Sequence, residues 1–174
     1  MLFRSEVAED IRMVLNLADI FRYFLQSDKT FVPLAEEMQI VRAYLEVEQT
    51  RLGNRLSIEI HVEDAALSVV IPVLSIQPLV ENAIKHGVAQ RTDPGYVRIR
   101  AALQHGDLRV TVENSAAPAT QSRINDIPGA GVGLQNIRRR LEICYGSASG
   151  LQLSFAPQST TAELSIPAPA IAPM

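Results

Sequence analysis

Hydrophobic positions in the first third of the chain repeat with the period of an α-helix. Apolar residues recur at three- and four-residue steps over residues 5–26, and they form a stripe wide enough to contact more than one partner. This pattern is typical of a helix buried in its own domain and equally of a helix in a dimer bundle. A second helical pattern covers residues 34–52, where Pro33 suits the start of a helix and Gly53 suits its end.

Further along, alternating apolar and polar residues predict strands interleaved with two more helices. The predicted strands cover residues 56–62, 96–103, 107–114, 150–156 and 161–166, and the predicted helices cover residues 75–87 and 132–145. Turn residues around Gly106 predict a hairpin. The connection over residues 115–130 is a candidate functional loop because of its length. This order predicts a helical segment in front of an α/β sandwich.

Composition narrows the class of protein. The 174 residues, 47% hydrophobic and 20% charged, fit a globular chain, and no apolar run reaches the roughly 18 residues that a membrane helix needs. The net charge of −3 gives no basic footprint for nucleic acid. Cys144 is the single cysteine, so the chain can form neither an internal disulfide nor a zinc cluster of cysteines. A reducing, cytosolic setting is the simplest fit.

The helix predicted over residues 75–87 carries the first candidate for chemistry. At about 100° per residue, its polar side chains fall within one sector of about 140°, and apolar side chains fill the opposite side. The polar residues are Glu81, Asn82, Lys85 and His86. An ordinary solvated helix face would also explain them. The oxygens of Asn82 and Glu81 nevertheless suit Mg²⁺, and the ammonium of Lys85 suits a phosphate group.

A glycine-rich turn precedes the helix predicted over residues 132–145. Gly129, Gly131 and Gly133 fall within five residues. Glycine lets backbone N–H groups approach an anion closely, and a helix N-terminus adds partial positive charge. The turn is not a P-loop, because no Gly-Lys-Ser/Thr follows it. It is not a dinucleotide fingerprint, because a long loop separates it from the preceding strand.

The end of the strand predicted over residues 107–114 supplies a third candidate. Glu113 could accept a hydrogen bond from an amino group such as that of adenine, and Ser115 follows two residues later. A turn-initiating Asn114 beside a surface acid explains the same residues without any function.

Together these three stretches resemble the nucleotide-binding motifs of the sensor histidine kinases. Residues 77–87, QPLVENAIKHG, look like the N box, most closely that of the LytS-type branch. Residues 129–141, GAGVGLQNIRRRL, look like the second glycine box of that branch, and residues 112–115 stand where the first is expected. Segments ahead of residue 55 resemble the stretch that links the dimerisation helices to the ATP-binding domain. The resemblance covers roughly residues 10–167.

The resemblance implies a GHKL (Bergerat) ATP-binding fold, which is a mixed, mostly antiparallel sheet backed by helices. It divides the chain into a helical dimerisation and linker segment over residues 1–54, an ATP-binding catalytic domain over residues 55–167 and a flexible tail over residues 168–174. ATP would lie between the N-box helix and the loop over residues 115–130, which would act as a lid. Such a site works by positioning and charge stabilisation.

The same resemblance implies roles for individual residues. Asn82 would bind Mg²⁺, Glu81 would orient or deprotonate the acceptor, and Glu113 would read adenine. Glu81 and Asn82 are therefore the implied catalytic residues, and ATP with Mg²⁺ is the implied cofactor set. The remaining implied nucleotide contacts are Lys85, His86, Ser115, Gly129, Gly131, Gly133, Leu134 and Asn136.

Three departures separate this sequence from the family pattern. The first glycine box has Glu113 in place of Asp and Ser115 in place of a frequent Gly. Residues 159–161 replace a late Gly-Thr element. The phospho-accepting phrase is missing, because none of the three histidines has an acceptor context: His61, His86 and His105. We therefore expect a piece of a longer, membrane-anchored sensor whose catalytic portion lies in the cytoplasm.

The leading interpretation is the ATP-binding catalytic portion of a two-component sensor histidine kinase. It would transfer the γ-phosphate of ATP to a histidine on a dimerisation helix outside this chain, and a response regulator would receive that phosphate next. A homodimer is expected from the apolar faces near the start of the chain. Two alternatives stay open: a degenerate nucleotide site in a module for dimerisation and partner docking, and a kinase of the same fold that uses a serine acceptor.

Overall fold

The computed structural model describes residues 29–116 and 132–167 of the chain. The strands are β1 (Phe31–Pro33), β2 (Leu56–Val62), β3 (Val70–Pro72), β4 (Gly95–Gln104), β5 (Asp107–Ser115), β6 (Gly150–Phe155) and β7 (Ser159–Pro167). The helices are α1 (Leu34–Leu52), α2 (Asp64–Leu67), α3 (Gln77–His86) and α4 (Val132–Tyr145). Short 3₁₀ turns follow three of the helices at Gly53–Arg55, Val88–Gln90 and Gly146–Ala148.

Five strands form one sheet in the order β2-β4-β5-β7-β6. Strands β2 and β4 pair in parallel, and the other neighbours pair antiparallel. Strands β1 and β3 form a separate antiparallel pair. Helices α1, α3 and α4 share one hydrophobic core with the five-stranded sheet. This mixed, mostly antiparallel sheet backed by helices confirms the predicted fold class.

Turn chemistry explains the hairpin between β4 and β5. His105 and Gly106 have φ values of 55° and 87°, so both central residues of the turn lie in the left-handed region. Two-residue turns with positive φ at both positions match the twist of the flanking strands. Glycine adopts such a φ at no steric cost. The predicted hairpin is therefore confirmed, with Gln104 paired to Asp107 at its closed end.

The helix ends also follow from the sequence. Helix α1 begins directly after Pro33, and the residue after its last turn is Gly53, which has a φ of 56°. Helix α4 covers the predicted residues. Helix α3 begins two residues later than predicted, at Gln77, because Leu74 has a φ of 58° and the chain enters the helix only after that turn.

The sheet is buried on the face that meets the helices and polar on the other face. Val97 and Val110 have no exposed surface, and Leu34 and Val41 of α1 belong to the same core. The core is therefore continuous across residue 54, where the sequence predicted a domain boundary.

Some predictions concern residues that the structure does not describe. The helix over residues 5–26, most of the loop over residues 115–130 and the tail over residues 168–174 lie outside the described residues. The sequence did not predict β1, β3 or α2, which are three, three and four residues long and too short to show a periodic pattern. Within the described residues, no helix has the length and apolar character needed to cross a membrane.

Candidate active site

Helix α3 has one apolar and one polar face, as its sequence predicted. The side chains buried in the core are Leu79, Val80, Ala83 and Ile84. On the polar face, Glu81 and Lys85 are exposed, whereas Asn82 and His86 are half-buried. Four polar groups of different chemistry therefore stand together on one accessible surface of α3.

The polar face of α3 meets the start of α4 at Asn82. A Cβ atom placed on Gly133 would lie 3.8 Å from Nδ2 of Asn82, and among the described residues no other atom outside its own turn of α4 would come within 4 Å of it. The backbone of Gly133 thus lies so close to Asn82 that a single methyl group would fill the gap between them. The fold brings the N box and the glycine box together at this point. Gly129 and Gly131 lie outside the described residues.

Two further residues of the glycine box differ in exposure. Leu134 is 9% exposed and packs in the hydrophobic core, whereas Asn136 is exposed to solvent. Leu134 therefore anchors the first turn of α4, and Asn136 offers a free polar surface on the same helix.

Neighbouring groups set the charge on the polar face of α3. Gln77 donates a hydrogen bond from Nε2 to Oε2 of Glu81 over 3.3 Å. Burial lowers the pKa of His86 below its ordinary value of 6.5, Lys85 lowers it further, and Glu81 opposes both. His86 is therefore neutral at neutral pH, with one ring nitrogen free to donate and one free to accept. The face then carries one carboxylate and one ammonium.

Glu113 lies on the sheet face that points away from α3. It pairs directly with Arg98 across β4 and β5. The hydroxyl of Tyr96 donates to Oε1 of Glu113 over 2.5 Å, and Nη1 of Arg98 lies 3.5 Å from Oε2. The fold therefore does not bring Glu113 to Asn82, and polar neighbours already occupy its carboxylate.

Asn114 is the polar residue of β5 that faces the helices. Asn114 is only 5% exposed, and its Nδ2 donates a hydrogen bond to the backbone carbonyl of Ser115 over 2.9 Å. The C-terminal end of α3 lies directly against it, because a Cβ atom on Gly87 would fall 1.9 Å from Nδ2 of Asn114. The period-two alternation of strand side chains, with Val110 and Val112 inward, could have identified this residue.

Ser115 is 5% exposed and holds β4 in place. Its Oγ accepts a hydrogen bond from the backbone N–H of Tyr96 over 2.9 Å. Gly95 allows this close approach, because a Cβ atom there would lie 3.2 Å from both Cβ and Oγ of Ser115. The hydroxyl thus joins two strands at the point where β5 leaves the sheet.

The residues on α3 fit a magnesium ion held mainly by phosphate oxygens. Among residues 29–116 and 132–167, no group of three or more His, Cys, Asp or Glu side chains could hold a metal ion by itself. Mg²⁺ keeps several waters and takes only one or two protein oxygens when phosphates supply other ligands. The side-chain amide of Asn82, whose Nδ2 is the atom nearest Gly133, carries one such oxygen, Oδ1.

Sequence comparisons find sensor histidine kinases similar to this chain. A family model described as Histidine kinase matches residues 1–56. The chain is 32% identical over 161 residues to the sensor histidine kinase BtsS of Escherichia coli (strain K12), an alignment that covers 91% of this chain and 28% of BtsS. It is 31% identical over 175 residues to the sensor protein LytS of Staphylococcus haemolyticus (strain JCSC1435), covering 95% of this chain and 30% of LytS. The chain therefore spans less than a third of the length of these relatives.

Solved structures show the same fold. The catalytic domain of the histidine kinase ThkA matches with a TM-score of 0.61 and 18% identity, covering 80% of this chain and 97% of that domain. ThkA in complex with the response regulator protein TrrA matches with a TM-score of 0.57 and 16% identity, covering 91% of this chain and 49% of ThkA.

The fold and the relatives together define the class of protein, which is the catalytic-type domain of a histidine kinase with the GHKL fold. The relatives that match most of this chain are sensor histidine kinases. The similarity of the chain to BtsS and LytS confirms the resemblance to the LytS-type branch.

Proposed function

We propose that this chain is the ATP-binding catalytic portion of a two-component sensor histidine kinase. It transfers the γ-phosphate of ATP to a histidine outside this chain, and a response regulator then receives that phosphate. The observation that carries the proposal is the close approach of the Asn82 side chain, on the polar face of α3, to Gly133 at the start of α4. A phosphate chain bound with Mg²⁺ needs an oxygen ligand for the metal, a cation and backbone N–H groups at one place. In this proposal Asn82, Lys85 and the first turn of α4 supply them.

Each residue on the polar face then has a distinct task. Asn82 supplies an oxygen to Mg²⁺, whose bound charge offsets the charge of the phosphates. Lys85 supplies a point charge for a phosphate oxygen, and Glu81 orients or deprotonates the acceptor histidine. His86, neutral because burial lowers its pKa, offers a hydrogen bond to phosphate or ribose.

The start of α4 completes the proposed phosphate contacts. The backbone of Gly129, Gly131 and Gly133 would cradle the phosphate chain, which side chains at these positions would obstruct. Leu134 fixes the first turn of α4 in the core, and Asn136, exposed three residues after Gly133, would contact the nucleotide from the same helix.

We assign the adenine-reading position to Asn114 and not to Glu113. Asn114 faces the helices at the end of β5, whereas Glu113 faces the opposite side and is engaged by Tyr96 and Arg98. A side-chain amide can both accept a hydrogen bond from the amino group of a purine and donate one to a ring nitrogen. Ser115 supports this strand end through its bond to the backbone of Tyr96.

The acceptor and the partners lie outside the described site. His61 and His105 are exposed, on β2 and in the hairpin turn, and His86 belongs to α3 itself. The proposed acceptor is therefore a histidine on a dimerisation helix that this chain does not supply, in a homodimer of a membrane-anchored sensor with its catalytic portion in the cytoplasm. The response regulator found with ThkA supports the last step of the proposal.

Calorimetric titration of ADP and ATP, with and without Mg²⁺, tests this function. We expect magnesium-dependent binding by the unmodified chain and its loss in Asn82→Ala. Asn54→Ala is the matched control, because Asn54 is an exposed asparagine in the turn after α1. Binding that Asn82→Ala leaves intact would remove Asn82 from the site. Absence of binding by the unmodified chain would favour the alternative of a degenerate site in a docking module.

A further inference from the structure

A carboxylate from α1 lies buried at the start of the helix that carries Asn82. Glu37 has no exposed surface. Its Oε2 accepts a hydrogen bond from the backbone N–H of Leu74 over 2.8 Å, and its Oε1 accepts from the N–H groups of Ile76 and Gln77 over 2.9 Å and 3.2 Å. These donors include backbone groups at the start of α3 that have no partner within the helix.

Glu37 is held in this place at an energetic cost. Burial raises the pKa of its carboxyl above the ordinary value of 4.5, and the three backbone N–H groups and the charge of Arg140 oppose that rise. A buried carboxylate is expensive unless hydrogen bonds compensate it. An apolar residue at this position of α1 would avoid the cost but would leave the donors unpaired.

The turn over residues 73–77 is held from two sides. Arg140 of α4 donates a hydrogen bond from Nη1 to the carbonyl of Val73, while Glu37 of α1 binds the following N–H groups. Within the turn, Leu74 has a φ of 58°, a conformation that is strained for a residue with a branched side chain. Surrounding contacts must therefore maintain this backbone. The turn thus joins α1, α3 and α4.

We infer that Glu37 is a positioning residue for the nucleotide site, because it fixes the start of α3 and thereby the place of Asn82 opposite Gly133. This inference rests on the proposed function. Asn82 lies five residues beyond Gln77, about 7.5 Å along a helix that moves as one rigid element. A shift of α1 relative to the 73–77 turn therefore moves Asn82 relative to α4. Helix α1, which supplies Glu37 to this contact, lies within residues 1–56, the part of the chain that matches the Histidine kinase model.

Two measurements on Glu37→Gln test the inference. The first is the affinity of the full chain for ADP with Mg²⁺, and the second is hydrogen exchange of the amides of Leu74, Ile76 and Gln77. Glutamine keeps the shape of the side chain but turns an NH₂ group towards one of the donors. We expect affinity to fall about tenfold. Exchange should accelerate at these amides and stay unchanged in β4 and β5.

Controls separate positioning from a general loss of structure. Glu36→Gln makes the same substitution one residue earlier, where the carboxylate pairs with Lys29 near the surface, and should leave both measurements unchanged. If Glu37→Gln does not fold, Glu37→Asp keeps the charge but shortens the side chain, and it is judged by the same two measurements. Unchanged affinity, or exchange that accelerates equally throughout the sheet, would overturn the inference.

The same experiment distinguishes failure of the inference from failure of the proposed function. If the unmodified chain does not bind ADP, the proposed function fails. If the unmodified chain binds ADP and the Glu37 variant binds it equally well, only the positioning role fails. Unchanged exchange at Leu74, Ile76 and Gln77 overturns the inference in either case.

Discussion

The two faces of the five-stranded sheet differ in the exposure and the pairing of their polar side chains. On the outer face, Arg98 and Glu113 keep 26% and 25% of their side-chain surface exposed and pair with each other. On the inner face, Val112 and Asn114 are 1% and 5% exposed, and the helices cover them. Charges on the outer face thus neutralise one another in contact with water, whereas a polar group on the inner face must find a partner inside the protein.

This contrast separates the residues that could contact the proposed nucleotide from those that could not. Glu113 and Asn114 are neighbours in sequence, but successive side chains of a strand point to opposite faces. Glu59 shares Arg98 with Glu113 on the outer face, which makes that face a network of matched charges. Asn114 lies between β5 and the end of α3, where its Nδ2 donates to the backbone carbonyl of Ser115. The side of the sheet, more than the type of polar group, therefore determines the role of these residues.

The largest effect is expected where the inner face is tightest, at Gly87. A Cβ atom there would lie 1.9 Å from Nδ2 of Asn114 and 2.4 Å from the carbonyl oxygen of Ala83. Neither the strand nor the helix backbone can move easily, so Gly87→Ala should cost about 3 kcal/mol of unfolding free energy in urea denaturation. Gly150→Ala is the control, because a Cβ atom on Gly150 would meet nothing within 4 Å. Equal midpoints for the two variants would contradict this account of the inner face.

The elements of this fold were predictable because they have clear periods. Helix α4 and the hairpin of β4 and β5 occur where the sequence places them. The polar face of α3 was also predictable, because it depends only on the spacing of residues within one helix. The face to which each side chain of β5 points could have been predicted from the same kind of spacing. In the sequence, however, the carboxylate of Glu113 suggested adenine recognition more strongly than the alternation of the strand suggested Asn114.

The contact of Glu37 could not be predicted from the sequence. Glu36 and Glu37 look like ordinary acids in the first turn of α1, where negative charge suits the helix dipole. Glu37 becomes buried only because the 73–77 turn packs onto α1, and its hydrogen bonds span 37 to 40 residues of chain. Such contacts depend on tertiary packing, on which local periodicity carries no information.

A second prediction compares the two neighbours on β5 directly. Asn114→Ala should weaken binding of ADP about tenfold, because it removes a buried hydrogen-bonding group from the side that faces α3. Glu113→Gln keeps the size of a side chain that faces the other way and should leave ADP affinity unchanged. Calorimetric titration of both variants measures the difference. A loss of affinity in Glu113→Gln alone would restore the original assignment of Glu113 as the adenine-reading residue.

The smallest expected effect is on the pH dependence of stability, and its sign should differ between buried Glu37 on α1 and Glu59 on the outer face of the sheet. Burial raises the pKa of Glu37, so the folded chain binds this proton more tightly than the unfolded chain, and the free energy of unfolding falls as pH rises above 4.5. The hydrogen bond from Arg98 lowers the pKa of exposed Glu59, so the stability that Glu59 contributes is present above 4.5 and is lost as pH falls below it. Urea unfolding across this range should therefore give two results. In Glu37→Gln, stability should no longer fall towards higher pH. In Glu59→Gln, a smaller fall of stability towards lower pH should disappear. Changes of the same sign in both variants would mean that burial of Glu37 and pairing of Glu59 with Arg98 do not shift the two pKa values in opposite directions.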